Sequence, residues 1–172
     1  STAAGLAAAF GSGAMTNTIA DIEDADVILF NDTATTENHP VLSTYVKRAV
    51  KFRGARLIVV DPRRIKISQF ASHFLRPNLG TDVALLNGMM HVIVKNNWHD
   101  QHFVEERCEG FEEFKAVIEN YPPEKVAEIT GVSVDDITKI AKANELCNRY
   151  GRDRISTGGG RGVGVRESQQ FS

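Results

Sequence analysis

Apolar residues fall into two kinds of run along this 172-residue chain, and each kind predicts a different element. Val27-Ile28-Leu29-Phe30 and Leu57-Ile58-Val59-Val60 are unbroken apolar blocks without polar alternation, the pattern of strands buried on both faces. Between them, Val41, Leu42, Tyr45, Val46, Ala49, Val50 and Phe52 recur at close to helical spacing, and Gly54 stops that helix after Arg53. A polar loop, Asn31 to Pro40, joins the first strand to the helix. Strand, loop, helix and strand together predict a βαβ unit with a right-handed crossover. Ahead of it, Thr16 to Asp26 reads as a short helix capped by Thr16 or Asn17. Behind it, Asp61-Pro62 halts the second strand. A turn or short helix follows over Ile65 to Phe70, and then a third strand at His73-Phe74-Leu75.

The second half has helical spacing throughout. Gly80-Thr81-Asp82 opens a long helix to Asn96, with Thr81 as its expected N-cap. Val83, Leu85, Leu86, Met89, Met90, Val92, Ile93 and Val94 make that helix apolar almost all round, so it is expected to be buried, against a sheet. Shorter amphipathic helices are expected over Asp100 to Arg107 and Phe111 to Asn120. Pro122-Pro123 separates them from Glu124 to Ile129, which Gly131 ends. Ser133-Val134-Asp135-Asp136 is a capping-box start for a last helix to about Tyr150. The fold class expected is α/β: a Rossmann-like parallel sheet flanked by helices, with a helical C-terminal part.

Composition changes this picture at the two ends. The whole chain is 42% hydrophobic and 24% charged, enough apolar material for one globular domain and too much for disorder throughout. No apolar run approaches the roughly 18–20 residues of a membrane span. The opening, Ser1 to Phe10, is apolar with no basic leader and reads as the middle of a longer chain. Residues 144–172 hold five Arg and six of the 14 Gly; they comprise the end of the last helix and a tail that from Gly151 on is expected to be poorly ordered, or ordered only against something else, which leaves 1–143 as the domain. Net charge is -2, which argues against nucleic acid as a partner. Cys108 and Cys147 form no C-x-x-C and fit a reducing compartment. The cytoplasm is therefore expected, with the periplasm as the alternative.

The candidate chemistry sits where parallel sheets bind ligands, beyond the carboxyl ends of their strands. Those ends are Asn31 to His39, Asp61-Pro62-Arg63-Arg64 and Asn78 to Asp82, all polar, and a right-handed unit would turn them to one edge. Asp61 stands where nucleotide-binding folds place an acid against ribose hydroxyls, or it simply ends a strand. Arg63 and Arg64 could face phosphates. Asp82 could accept two N–H donors from a base such as guanine, or only cap its helix. Gly11-Ser12-Gly13 lacks the third glycine of G-x-G-x-x-G, and the run from Gly158 to Gly164 lacks the G-K-[ST] of a phosphate loop. His99 and His102 have no evident third metal ligand.

These runs resemble one family. Ala4-Gly5-Leu6, Gly11 to Asn17, Thr35-Thr36-Glu37-Asn38-His39-Pro40, Val60-Asp61-Pro62-Arg63, Gly80 to Gly88, Glu109-Gly110-Phe111 and Glu128 to Val132 match, in order and spacing, the catalytic subunit of molybdenum- or tungsten-dependent formate dehydrogenases. That subunit belongs to the dimethyl-sulfoxide-reductase superfamily. The resemblance runs from about Ser1 to Ala143. It implies a Rossmann-like domain holding one molybdopterin guanine dinucleotide. Three stretches would contact it: Asn31, Asp32, Thr33, Ala34, Thr35, Glu37 and Asn38; then Asp61, Pro62 and Arg63 near the guanosine; then Gly80, Thr81 and Asp82, the Asp on guanine.

The resemblance also implies what lies elsewhere. The metal-ligating Cys or selenocysteine, followed by His, would precede Ser1, and the iron–sulfur domain would lie further upstream. No catalytic residue or metal ligand is therefore expected here, and whether the chain is an enzyme by itself stays open. Its expected partners are the remaining segments or subunits of a formate dehydrogenase complex. Two positions depart from the family, which usually has Gly and Asn where this chain has Asp32 and Ala34. Asp32 puts a negative charge where a backbone would approach a diphosphate. That departure motivates a second reading, a non-catalytic assembly module or remnant that binds no cofactor. A free-standing NAD-type domain is a third, against which the missing G-x-G-x-x-G argues.

Overall fold

The computed structural model describes residues 2–14, 18–150, 154–158 and 161–163. They divide into two compact units, Ser1–Leu75 with Gly151–Ser172, and Arg76–Tyr150.

The first unit is built on the βαβ segment. Strand β1, Val27–Asn31, pairs in parallel with β2, Arg56–Val60, from Val27 opposite Arg56 to Asn31 opposite Val60. Strand β3, His73–Leu75, lies parallel on the other side of β2. Both apolar blocks are buried along their whole length. Alternate residues face opposite ways along a strand, and Ile28, Phe30, Leu57 and Val59 meet Val46 and Ala49 of helix α3, Pro40–Arg53, in one cluster. Ser43, Val46 and Ala49, three apart, form the buried stripe of α3. Pro40 occupies the helix's first turn, and Gly54, at φ 74°, closes it in the left-handed conformation. Ion pairs Arg48–Glu23 at 2.9 Å and Arg53–Asp24 at 2.6 Å tie α3 to a 3-10 turn at Ala20–Asp24.

The second unit is helical. Helix α4, Asp82–Lys95, packs against α6, Phe111–Ile118, α7, Pro123–Thr130, and α8, Val134–Tyr150. The short helix α5, Gln101–Arg107, is capped by the Asp100 carboxylate on the Phe103 N–H at 3.0 Å. Gly88 lets α4 approach α7 closely: a Cβ there would lie 2.8 and 2.9 Å from the two methyl groups of Val126. Of the expected capping box on α8, the Ser133 half is formed. Ser133 Oγ accepts from the Asp136 N–H at 3.1 Å and donates to Asp136 Oδ2 at 2.7 Å.

The structure has the expected α/β class, with a parallel sheet, flanking helices and a helical C-terminal part. Several local expectations are corrected. The helix expected over Thr16 to Asp26 is the 3-10 turn at Ala20–Asp24; its expected caps Thr16 and Asn17 lie outside the described residues. The polar loop contains a helical turn, α2, Thr35–Asn38. The apolar opening forms α1, Thr2–Phe10. Thr81 does not cap α4 with its side chain; its hydroxyl donates instead to the Asn78 carbonyl at 2.7 Å. The apolar surround of α4 is met by helices, where a sheet was expected.

Within the tail expected to be poorly ordered or ordered only against something else, Arg154–Gly158 is a strand, β4, that lies parallel against β1, and Arg161–Val163, β5, runs antiparallel to β4. The sheet order is therefore β3-β2-β1-β4-β5. The rest of 151–172 lies outside the described residues. Among the described residues no helix is long and apolar enough to cross a membrane.

Gly88 gives a test of the α4–α7 approach. Gly-to-Ala in a helix interior ordinarily stabilises by about 0.5–1 kcal/mol. Here the sign should reverse, with Gly88→Ala losing about 1–3 kcal/mol in urea unfolding, because Val126 is fully buried and cannot yield.

Candidate functional site

The carboxyl edge of the first unit's sheet is made by the residues that follow β1 and β2. Asp61 is fully buried, and its backbone N–H donates to the Leu75 carbonyl at 3.1 Å. Pro62 then fixes the chain into a turn, which the Asp61 side chain closes. Asp61 Oδ1 accepts from the Arg63 N–H at 2.8 Å and from Arg63 Nε at 3.3 Å. Asp61 Oδ2 is buried and has no hydrogen-bond partner among the described residues. A buried carboxylate oxygen left without a donor costs about 1–3 kcal/mol or more. A ligand hydroxyl or N–H reaching that oxygen would recover the cost. The oxygen therefore suits a hydroxyl or N–H donor.

The loop after β1 lies beside it. Asn31 ends β1 opposite Val60, and the Asp32 N–H extends the ladder by donating to the Val60 carbonyl at 2.9 Å. Asp32 sits at φ 48°, in the left-handed region that Asp tolerates better than most side chains. Thr33 and Thr35 are buried, their hydroxyls 3.1 Å apart, and the Thr36 hydroxyl meets Ser43 of α3 at 3.2 Å. These hydroxyls hold the loop to the protein. Ala34 stands at the N-cap of α2 and supplies no side-chain cap; its carbonyl accepts from the Glu37 and Asn38 N–H groups, each at 3.0 Å. Asn38 is exposed.

Two ion pairs form at this edge, while exposed Arg64 makes none among the described residues. Arg63 is two-thirds exposed and leans on Asp61. Its hydrogen bond to Asp61, then the Asp61 charge, with Asp32 and Glu37 adding, hold the guanidinium more firmly protonated than usual. Lys66 meets Glu37 at 3.5 Å and so links the loop after β1 to the segment after β2. Lys66 lies in the basic stretch from Lys47 to Lys66, but no sequence signal pairs it with Glu37.

Gly80, Thr81 and Asp82 belong to the second unit. Gly80 takes φ 75°, and Asp82 occupies the first turn of α4, where a carboxylate suits the helix dipole. Asn78 anchors the approach to this turn: its N–H donates to the Thr130 carbonyl at 2.8 Å and its Nδ2 to the Ile129 carbonyl at 3.1 Å. Thr130, buried, holds the Val132 N–H at 3.2 Å. The run from Glu128 to Val132 thus fixes the start of α4 from across its own unit. The structure brings Asn31–Asn38 and Asp61–Arg63 to one edge. Among the described residues no group of three or more His, Cys, Asp or Glu is placed to hold a metal.

Residues 2–158 match the molybdopterin oxidoreductase family. The chain is 45% identical over 141 residues to the F420-dependent formate dehydrogenase 1 subunit alpha of Methanococcus maripaludis, covering 82% of this chain and 21% of that protein. It is 40% identical over 139 residues to formate dehydrogenase H of Escherichia coli, covering 81% of this chain and 19% of that protein. Among solved structures it superposes on acetylene hydratase from Pelobacter acetylenicus with a TM-score of 0.64 and 37% identity, covering 72% of this chain and 18% of that one. The chain belongs to the molybdopterin oxidoreductase family. It spans about a fifth of the length of these relatives.

A carboxylate kept for a ligand should be dispensable for folding. Asp61→Asn preserves the acceptor for Arg63 and removes the buried charge. Its ligand-free melting temperature should stay level or rise, and a fall of many degrees in a thermal scan would show that the charge is structural.

Proposed function

We propose that this chain binds one molybdopterin guanine dinucleotide for a formate dehydrogenase-like oxidoreductase, with residues 1–143 as the Rossmann-like binding part. The observation that carries the reading is the buried, unpartnered Asp61 Oδ2 at the carboxyl end of a central parallel strand. Asp61 accepts a hydroxyl or N–H from the guanosine end. Pro62 and the Arg63 N–H fix the carboxylate so that only one oxygen is committed to the protein. Thr33, Thr35 and Thr36 hold the neighbouring loop, with Asn31, Ala34, Glu37 and Asn38 along it. Asp82, following Gly80 and Thr81, offers its carboxylate to the donor edge of guanine.

The cofactor, carrying molybdenum or tungsten, would supply two-electron redox chemistry, which in the whole enzyme oxidises formate to carbon dioxide. The choice of formate rests on the identity to the two formate dehydrogenases. The likeness to acetylene hydratase supports the cofactor class without selecting a reaction. The metal-ligating Cys or selenocysteine and any iron–sulfur cluster belong to other parts of the enzyme. The partners are those remaining segments or subunits, in keeping with the subunit alpha designation of one relative.

Asp32 and Ala34 favour a second reading, an assembly module that binds no cofactor. A chemical-shift titration with guanosine separates the two. The cofactor reading expects millimolar or tighter binding, weakened about tenfold or more in Asp61→Ala and in Asp82→Ala. Absence of any guanosine response in the wild-type protein would leave the assembly module.

A further inference from the structure

Asn78 bonds in two directions within the second unit. Toward the end of α7 it gives two donors, its N–H to the Thr130 carbonyl at 2.8 Å and its Nδ2 to the Ile129 carbonyl at 3.1 Å. Toward the start of α4 its carbonyl accepts from Thr81 twice, from the N–H at 3.3 Å and from the hydroxyl at 2.7 Å. The α7 anchor is firm: Thr130 is fully buried, and its hydroxyl donates to the Val126 carbonyl at 2.7 Å. Gly131, at φ 74°, brings its backbone against the Asn78 amide, which a Cβ there would meet at 3.4 Å. Asn78 itself is exposed, so water could stand in for its side chain at the Ile129 carbonyl. What the side chain adds is position. The Asn78 carbonyl draws off the Thr81 hydroxyl, and α4 starts without a side-chain cap. Asp82, in the first turn, keeps a half-buried carboxylate that makes no hydrogen bond or ion pair among the described residues.

We propose that Asn78 is a positioning residue, which aims the Asp82 carboxylate at the donor edge of guanine. The inference rests on the cofactor reading above and deepens it, by naming the residue that holds one of its contacts in place. Asn78 touches no ligand. It clamps the Gly80–Asp82 turn to the end of α7 and occupies the Thr81 hydroxyl. The carboxylate is thereby presented on a fixed backbone, uncommitted to its own helix.

Chemical-shift titrations with guanosine and inosine test this in the wild-type protein, Asn78→Ala, Asn78→Asp and Asp82→Ala, and in each Asn78 variant combined with Asp82→Ala. Inosine lacks the exocyclic amino group of guanine, so the preference for guanosine reports on the aim of Asp82. Asn78→Asp keeps the shape and the backbone bonds of Asn78 and loses the Nδ2 donor. Both Asn78 variants should weaken guanosine about fivefold and inosine less than about twofold. In the Asp82→Ala background they should move guanosine by less than about twofold, since a residue acting through Asp82 has nothing left to aim.

Guanosine binding unmoved by both Asn78 variants, where Asp82→Ala weakens it, would overturn the proposal while leaving the cofactor reading intact. So would losses that add in the double variants, or that fall equally on guanosine and inosine, since each marks Asn78 as a cap of α7 and nothing more. Should Asn78→Ala fail to fold, Asn78→Asp carries the same comparison. No effect of Asp82→Ala itself would remove this inference along with the role of Asp82. Failure of guanosine to bind the wild-type protein would remove the cofactor reading and this inference together.

Discussion

The parallel pairing of β1 with β2 is the constraint on which the rest of the first unit depends. The blocks Val27–Phe30 and Leu57–Val60 are buried, and a slip of register by one residue would exchange every side chain between the two faces. The pairing therefore holds Asn31 opposite Val60, and the Asp32 N–H locks the exit of β1 onto the Val60 carbonyl. Everything polar at that edge follows from the lock. It turns Asp32 into the left-handed region, starts the loop of Thr33 and Thr35, and sets that loop beside Asp61.

The Asp-Pro-Arg turn shows how a short motif can divide one carboxylate between folding and function. Pro62 lacks an N–H and holds its φ fixed, so the Asp61 side chain meets the next free donor, on Arg63. One oxygen is thereby used twice within the turn, and the other meets no donor among the described residues. An apolar residue would be cheaper for stability at this depth. A buried group that the fold itself does not satisfy points to something outside the fold that does.

Much of this architecture was legible in the sequence because the signals were local. The blocks at Val27 and Leu57, the helical spacing from Val41 and the punctuation by Gly54, Pro122-Pro123 and Gly131 each fix an element without help from distant residues. What escaped depends on tertiary context. The turn α2 is only four residues long and has no periodicity of its own. Helix α1 is apolar without an amphipathic pattern. Strand β4 has little apolar content and exists through its pairing with β1. At the candidate site, the place of Asp61 could be read from the end of its strand, but not which oxygen Arg63 takes. Nor could the Glu37–Lys66 pair be read, since it joins two loops separated by a helix and a strand.

The sheet also has a history written into its strand order. β1 is flanked on one side by β2, which follows it closely, and on the other by β4, which arrives only after the whole of Arg76–Tyr150. Emerging from the ribosome, the chain can zip β1, β2 and β3 together early. The opposite flank of β1 must wait until four further helices and α8 have been made. During that interval a hydrophobic strand edge stands open to solvent, a hazard for pairing with other nascent chains. The helical unit inserted between β3 and β4 sets the length of that exposure. Its own rapid, local folding keeps the delay a matter of synthesis rather than of search.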